Sequence, residues 1–117
     1  MNEISIIYFS GSGHTAQLAE AVRKGAESVP VAKVHSIHLN AADIIKGRYN
    51  NEDVMSLLEI SDAIIFGCPT YMGGPAAQFK AFADATVERW LAQKWRDKFA
   101  AGFTVSGAPS GDKFNTL

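Results

Sequence analysis

Residues 4–15 read Ile-Ser-Ile-Ile-Tyr-Phe and then Ser10-Gly11-Ser12-Gly13-His14-Thr15. The first half is a short apolar run bounded by turn residues, which predicts a buried strand over residues 4–9. The second half leads into Leu18, Ala19, Val22 and Ala26, a spacing that predicts a helix over residues 14–28, with Pro30 as a stop signal past its end. A Ser/Gly/Thr loop between a strand and a helix is suited to hold a phosphate. Its glycines let backbone N–H groups turn toward one point, and the helix N-terminus adds about half a positive charge. The hydroxyls of Ser10, Ser12 and Thr15 can donate to phosphate oxygens. The loop contains no Lys or Arg, so neutral donors and the helix dipole would hold the anion.

Two other phosphate motifs compete for the same loop. Residues 11–16, Gly-Ser-Gly-His-Thr-Ala, satisfy the dinucleotide fingerprint G-x-G-x-x-G/A. That motif needs an acid at the end of the second strand to hold the ribose. The second strand here ends near His38-Leu39-Asn40 without one, and Asp43 lies past it. The nucleoside-triphosphate loop requires Gly-Lys-Ser/Thr, a triplet absent from the chain.

The 117 residues are 47% hydrophobic and carry a formal charge of −1, which suits one domain, residues 1–117, with its own core. That charge gives no reason to expect nucleic acid or an anionic membrane as partner. The apolar runs are too short to span a bilayer, and no signal-peptide pattern precedes the first strand. A single cysteine, Cys68, excludes an internal disulfide and a cysteine-based zinc site; no metal site is expected, and the cytoplasm is the default compartment.

Further along, residues 31–38 alternate loosely and predict a second strand. Residues 40–51 are polar and predict a loop with a short helical piece. Asn50 or Asn51 can cap a helix carrying Val54, Leu57 and Leu58. Residues 63–67 (Ala-Ile-Ile-Phe-Gly) predict a third strand, followed by a Gly/Pro loop over residues 67–75. A helix over residues 76–90 is expected to bury Phe79, Phe82, Ala83, Val87 and Trp90. Residues 99–105 predict a fourth strand, residues 106–112 a loop, and Asp112 a cap for a helix that barely starts before Leu117. Strands alternating with helices imply an α/β fold, a doubly wound parallel sheet covered on both faces. Its ligand edge is at the carboxyl ends of the strands, where the three loops rich in Gly, Ser, Thr and Pro all fall.

Ser10, Gly13 and Thr15 resemble the phosphate loop of flavodoxin-like proteins, roughly Ser/Thr-x-x-Gly-x-Thr after the first strand. The second loop, Gly67-Cys68-Pro69-Thr70-Tyr71-Met72-Gly73-Gly74-Pro75, with Gln78, Phe82 and Asp84 beyond it, resembles the flavin loop of tryptophan-repressor-binding-protein-type NAD(P)H:quinone oxidoreductases. It departs from their Gly-Thr-Pro-Thr-Arg-Phe-Gly signature at Cys68 and at Tyr71, where that family usually has Arg. The broader NADPH-dependent FMN reductase-like group accommodates both. Ser106-Gly107-Ala108-Pro109-Ser110-Gly111 resembles the family's third loop, although Asp112-Lys113 replaces part of its Gln/Glu-containing version.

The resemblance implies FMN with its phosphate on Ser10, Gly11, Ser12, Gly13, His14 and Thr15. The flavin ring would sit between Pro69, Thr70, Tyr71, Met72 and Gly73 on one side and Ser106, Gly107, Ala108, Pro109, Ser110 and Gly111 on the other. From the residues themselves, Tyr71 and Met72 offer an aromatic and a polarizable side chain for stacking on a flat ligand. Trp90 falls where the family places an aromatic beside the open face of the flavin; its helical spacing reads equally as core or subunit interface. Trp95 and Cys68 read as packing residues. NAD(P)H would reduce the flavin and a quinone would reoxidise it in ping-pong fashion, with no obvious general acid or base among the side chains. Relatives of this type assemble as oligomers, so a dimer or tetramer is implied.

Two other functions fit the fold. Shuttle flavodoxins are usually strongly acidic for steering to basic partners, which a charge of −1 does not match. A binding or regulatory module would have no need of the hydroxyls and glycines that all three loops keep. The family's sheet has five parallel strands in the order 2-1-3-4-5. The chain is therefore expected to be truncated after the fourth strand, which would lie at an unpaired edge, prone to pairing with another chain.

Overall fold

A computed structural model describes residues 2–117. Strand β1 (Asn2–Tyr8) is followed by α1 (His14–Glu27), β2 (Ala32–His38), a short hairpin β3 (Ile44–Ile45) and β4 (Arg48–Tyr49), and α2 (Glu52–Ile60). Then come β5 (Ala63–Tyr71), β6 (Gly74–Pro75), α3 (Ala77–Ala85), α4 (Val87–Leu91) and β7 (Phe99–Val105). Four strands pair in parallel in the spatial order β2-β1-β5-β7. Counting only these long strands, that is 2-1-3-4, the doubly wound flavodoxin-like order expected, with β7 paired on one side only among the described residues. No helix among the described residues is long and apolar enough to cross a membrane.

The core follows from the apolar runs. Ile6, Ile7, Leu58 and Ile64 are almost fully buried, and Phe82 closes the layer between the sheet and α3. Phe66, Phe79 and Phe82 meet edge-on or tilted, with ring centroids 5.6–6.5 Å apart. Two serines are buried without loss, because Ser5 and Ser61 share a hydrogen bond of 2.6 Å and the Ser61 hydroxyl donates to the Leu57 carbonyl at 2.9 Å. At the start of α2 the Asn51 side chain accepts from the Val54 N–H at 3.1 Å, which realises the expected cap.

Several boundaries differ from the sequence reading. The third strand does not end at Gly67. Cys68 and Pro69 keep pace with Thr104 and Val105 of β7, and Thr70 and Tyr71 then pair with Pro75 and Gly74. The turn between them is Met72-Gly73, with φ of 51° and 78°, the two-residue turn with positive φ at both positions that fits strand twist. Lys46-Gly47 repeats it in the β3–β4 hairpin, inside the stretch expected to be loop, where the short helical piece is a 3-10 turn at Ala41–Asp43. The helix over residues 76–90 is two helices. Thr86 separates them, its hydroxyl donating to the Ala83 carbonyl at 2.7 Å, and Val87 and Trp90 beyond it are exposed rather than in the buried stripe. No helix forms after Asp112, whose carboxylate is occupied by Ser106 and Lys113 instead.

Gly67 sits where two strands must come close. A Cβ there would stand 2.1 Å from the Phe103 ring, so only glycine leaves that ring its place. Gly67→Ala should lower unfolding free energy by about 1–3 kcal/mol in urea titrations. Adding Phe103→Leu should restore part of that loss; an equal loss in the single and double variants would mean that the contact is not the cause.

Candidate flavin site

The parallel register puts three chain crossings on one sheet edge. Tyr8 lies beside Gly67, and the Phe9 N–H continues the ladder to the Gly67 carbonyl at 3.0 Å. Pro69 lies beside Val105, so the residues after β7 emerge next to Thr70. The loops at residues 10–15, 69–73 and 106–111 are thereby gathered at the carboxyl end of the sheet.

The first loop is shaped by its own serine. Ser10 Oγ accepts from the N–H groups of Gly13 and Ala16, each at 3.2 Å. Gly13, at the helix N-cap, is left-handed with φ of 102° and offers no side-chain cap. Among the described residues the N–H groups of His14 and Thr15 donate to no protein acceptor, and the first turn of α1 contains no acid. At α2, where Asn51 accepts from Val54 and the N–H groups of Glu52 and Asp53 likewise have no protein acceptor among the described residues, the difference is that those two acids occupy the first turn. One helix start carries acids that answer its dipole and the other carries none. Ser12 Oγ and His14 Nδ1 are 3.1 Å apart, at the solvent side of this cradle.

In the second segment, Thr70 and Tyr71 face opposite ways. The Thr70 hydroxyl, nearly buried, shares hydrogen bonds of 2.8 Å with both Thr104 and Thr116. Tyr71 is half exposed and lies against the first loop, its Oη 2.4 Å from where a Cβ on Gly11 would stand. Met72 projects fully into solvent at the turn. Cys68 is buried beneath these residues. Burial pushes its thiol up, opposed in part by a backbone hydrogen bond at Ala76, which disfavours a reactive thiolate and suits the packing role.

The third loop is tied by a polar clasp. Ser106 Oγ donates to the Asp112 carboxylate and accepts from the Ala108 N–H, while Lys113 Nζ donates to Asp112 at 2.8 Å and to the Ala108 carbonyl at 2.9 Å. The Lys113 contact, followed by that of Ser106, holds the Asp112 carboxyl below the usual carboxylate range. Trp90 is not part of this gathering. It is exposed on α4 and lines a separate cavity with Arg89, Trp95 and Arg96. What sequence reasoning missed is the clasp, whose only signal is the pair Asp112-Lys113 in a small-residue loop.

Residues 4–114 match the family of NADPH-dependent FMN reductases. The chain belongs to that family. It is 38% identical over 113 residues to flavodoxin FldP of Pseudomonas aeruginosa, covering 97% of this chain and 55% of that protein. An NAD(P)H dehydrogenase (quinone) of Archaeoglobus fulgidus is 32% identical over 130 residues, covering 100% of this chain and 68% of the other. Among solved structures, the flavodoxin, WrbA-like protein from Agrobacterium tumefaciens superposes with a TM-score of 0.80 at 46% identity, over 100% of this chain and 68% of that one. This chain therefore spans between about half and two thirds of the length of these relatives.

Ser10→Ala removes the acceptor for two loop N–H groups. It should cost about 1 kcal/mol of stability without any ligand, read from denaturant melts; an unchanged midpoint would mean that Ser10 does not organise the loop. For the clasp, the folded Asp112 carboxyl titrates below the unfolded one. Its contribution is therefore complete above the usual carboxylate range and lost as pH falls through the lower folded value. The Ala108 amide resonance should thus stay constant through the ordinary aspartate range and move only below it. A midpoint at the ordinary value would show an open clasp.

Proposed function

We propose that this chain is the FMN-binding part of an NAD(P)H-dependent flavoprotein oxidoreductase that delivers two electrons to a quinone or similar acceptor. The observation that carries the reading is the start of α1. It has an acid-free first turn, unpaired N–H groups and a hydroxyl-lined loop, set at the sheet edge where two further loops converge. Family membership and a quinone dehydrogenase among the relatives support it.

The donor set fits a flavin nucleotide. Ser10, Gly11, Ser12, Gly13, His14 and Thr15 would hold the phosphate through N–H groups and hydroxyls. Residues 69–73 and 106–111 would flank the ring, their backbone N–H groups favouring negative charge on a reduced flavin. FMN, when bound, supplies acceptance of hydride from NAD(P)H and its return as two electrons. The chain supplies orientation: Thr70, Thr104 and Thr116 pin the second loop, and Ser106, Asp112 and Lys113 pin the third. No side chain is assigned as general acid or base. A homo-oligomer, dimer or tetramer, belongs to the same reading, supported by the exposed Val87, Trp90, Leu91 and Phe99. Trp90 would then line the substrate side of a pocket completed by a neighbouring chain.

A second reading, an electron-carrying flavodoxin, is favoured by the likeness to FldP, which carries that name. An absorbance spectrum after FMN loading and removal of free ligand separates the two. Retained flavin bands, bleached by NAD(P)H and restored by a quinone, are expected. Retained flavin that NAD(P)H leaves oxidised would favour the carrier, and a colourless protein would overturn both.

A further inference from the structure

We infer that the Tyr71 hydroxyl is a phosphate donor that makes this site select FMN over riboflavin. The inference rests on the flavin-site reading above and reassigns Tyr71 from stacking on the ring to reading the phosphate.

Three observations carry it. The Oη atom lies 2.4 Å from the position of a Cβ on Gly11, so the phenol tip overlies the first residues of the phosphate loop and the missing side chain of Gly11 gives it room. The hydroxyl forms no hydrogen bond to protein among the described residues, whereas the neighbouring Thr70 hydroxyl is engaged twice. The loop itself has no Lys or Arg, so a dianionic phosphate there needs every neutral donor within reach.

The local fold fixes the arrangement. Strand alternation turns Thr70 toward Thr104 and Thr116, and therefore turns Tyr71 the other way. The Met72-Gly73 turn and the Tyr71–Gly74 pairing then hold the base of the side chain at one height above the loop. A long aromatic side chain with two χ angles bridges the gap at small entropic cost and places a single donor at its tip.

The test is a titration of FMN and of riboflavin against the wild-type chain, Tyr71→Phe and Gly11→Ala, at one pH. Tyr71→Phe keeps the ring on Gly11 and removes only the donor. Its FMN dissociation constant should rise about tenfold or more, the scale of a hydrogen bond to a charged group, with riboflavin unchanged within about twofold. Gly11→Ala should weaken FMN through displacement of the phenol, and by clearly less when built on Tyr71→Phe. Tyr71→Phe binding FMN like the wild type would overturn the inference and leave the flavin site standing. Equal loss of both flavins would overturn it in favour of ring or ribityl contact. A wild-type chain that binds neither flavin would overturn the site reading, and this inference with it.

Discussion

The parallel pairing of β1 with β5 is the constraint on which the rest depends. Five consecutive residue pairs, from Ile4–Ala63 to Tyr8–Gly67, set the two strands in one direction and one phase. The ladder runs one residue further through Phe9 and Gly67, while the Leu39 N–H donates to the Tyr8 carbonyl at 2.7 Å on the other flank. Shifted by one residue, the pairing would turn β5 over relative to β1, so that Ile7 and Ile64 would no longer share a face. It would also slide Ser10 away from the level of Pro69. Core and candidate ligand edge are thus decided together, because the same phase that packs the isoleucines puts the loop at residues 10–15 beside the Tyr71 segment.

That linkage explains why so much was legible in the residues. Buried parallel strands leave continuous apolar runs such as Ile4 to Phe9 and Ala63 to Phe66, and crossover helices leave capped, periodic ones. What escaped depends on backbone states that residue type does not disclose. Lys46 and Met72 adopt positive φ, a conformation that costs most side chains energy and gives no pattern in advance. Each is followed by Gly at the second turn position, and the pair signals a hairpin only once flanking residues are known to pair. Thr86 escaped for a different reason. Periodicity runs across it unbroken, but its hydroxyl turns back on the Ala83 carbonyl where the helix is interrupted, and Trp90 beyond the break is exposed while Phe82 is buried.

The electrostatic character of the site is set by omission as much as by placement. α2 begins with Asn51, which caps the Val54 N–H, and with Glu52 and Asp53, whose charges answer the helix dipole. α1 begins with glycine in a left-handed conformation and no acid, and Ser10 Oγ satisfies the N–H groups of Gly13 and Ala16 while those of His14 and Thr15 stay unpaired. A carboxylate in that turn would compete with any incoming phosphate. The contrast between the two helix starts is readable in the sequence, where Glu52 and Asp53 open one helix and His14 and Thr15 the other.

The two sides of β5 carry different burdens. On the β1 side lie the loop at residues 10–15 and the Tyr71–Gly11 approach. On the β7 side, Gly67 admits the Phe103 ring, and Thr104 and Thr116 hold Thr70 from below. The outer edge of β7 contributes none of these contacts, and its first four residues, Phe99, Ala100, Ala101 and Gly102, are exposed without a charge or proline to discourage pairing. The far half of β7 is the part that touches the site, through Phe103, Thr104 and Val105. Whatever lies against the exposed half can therefore alter stability and association while leaving the loop geometry to β1, β5 and the inner face of β7.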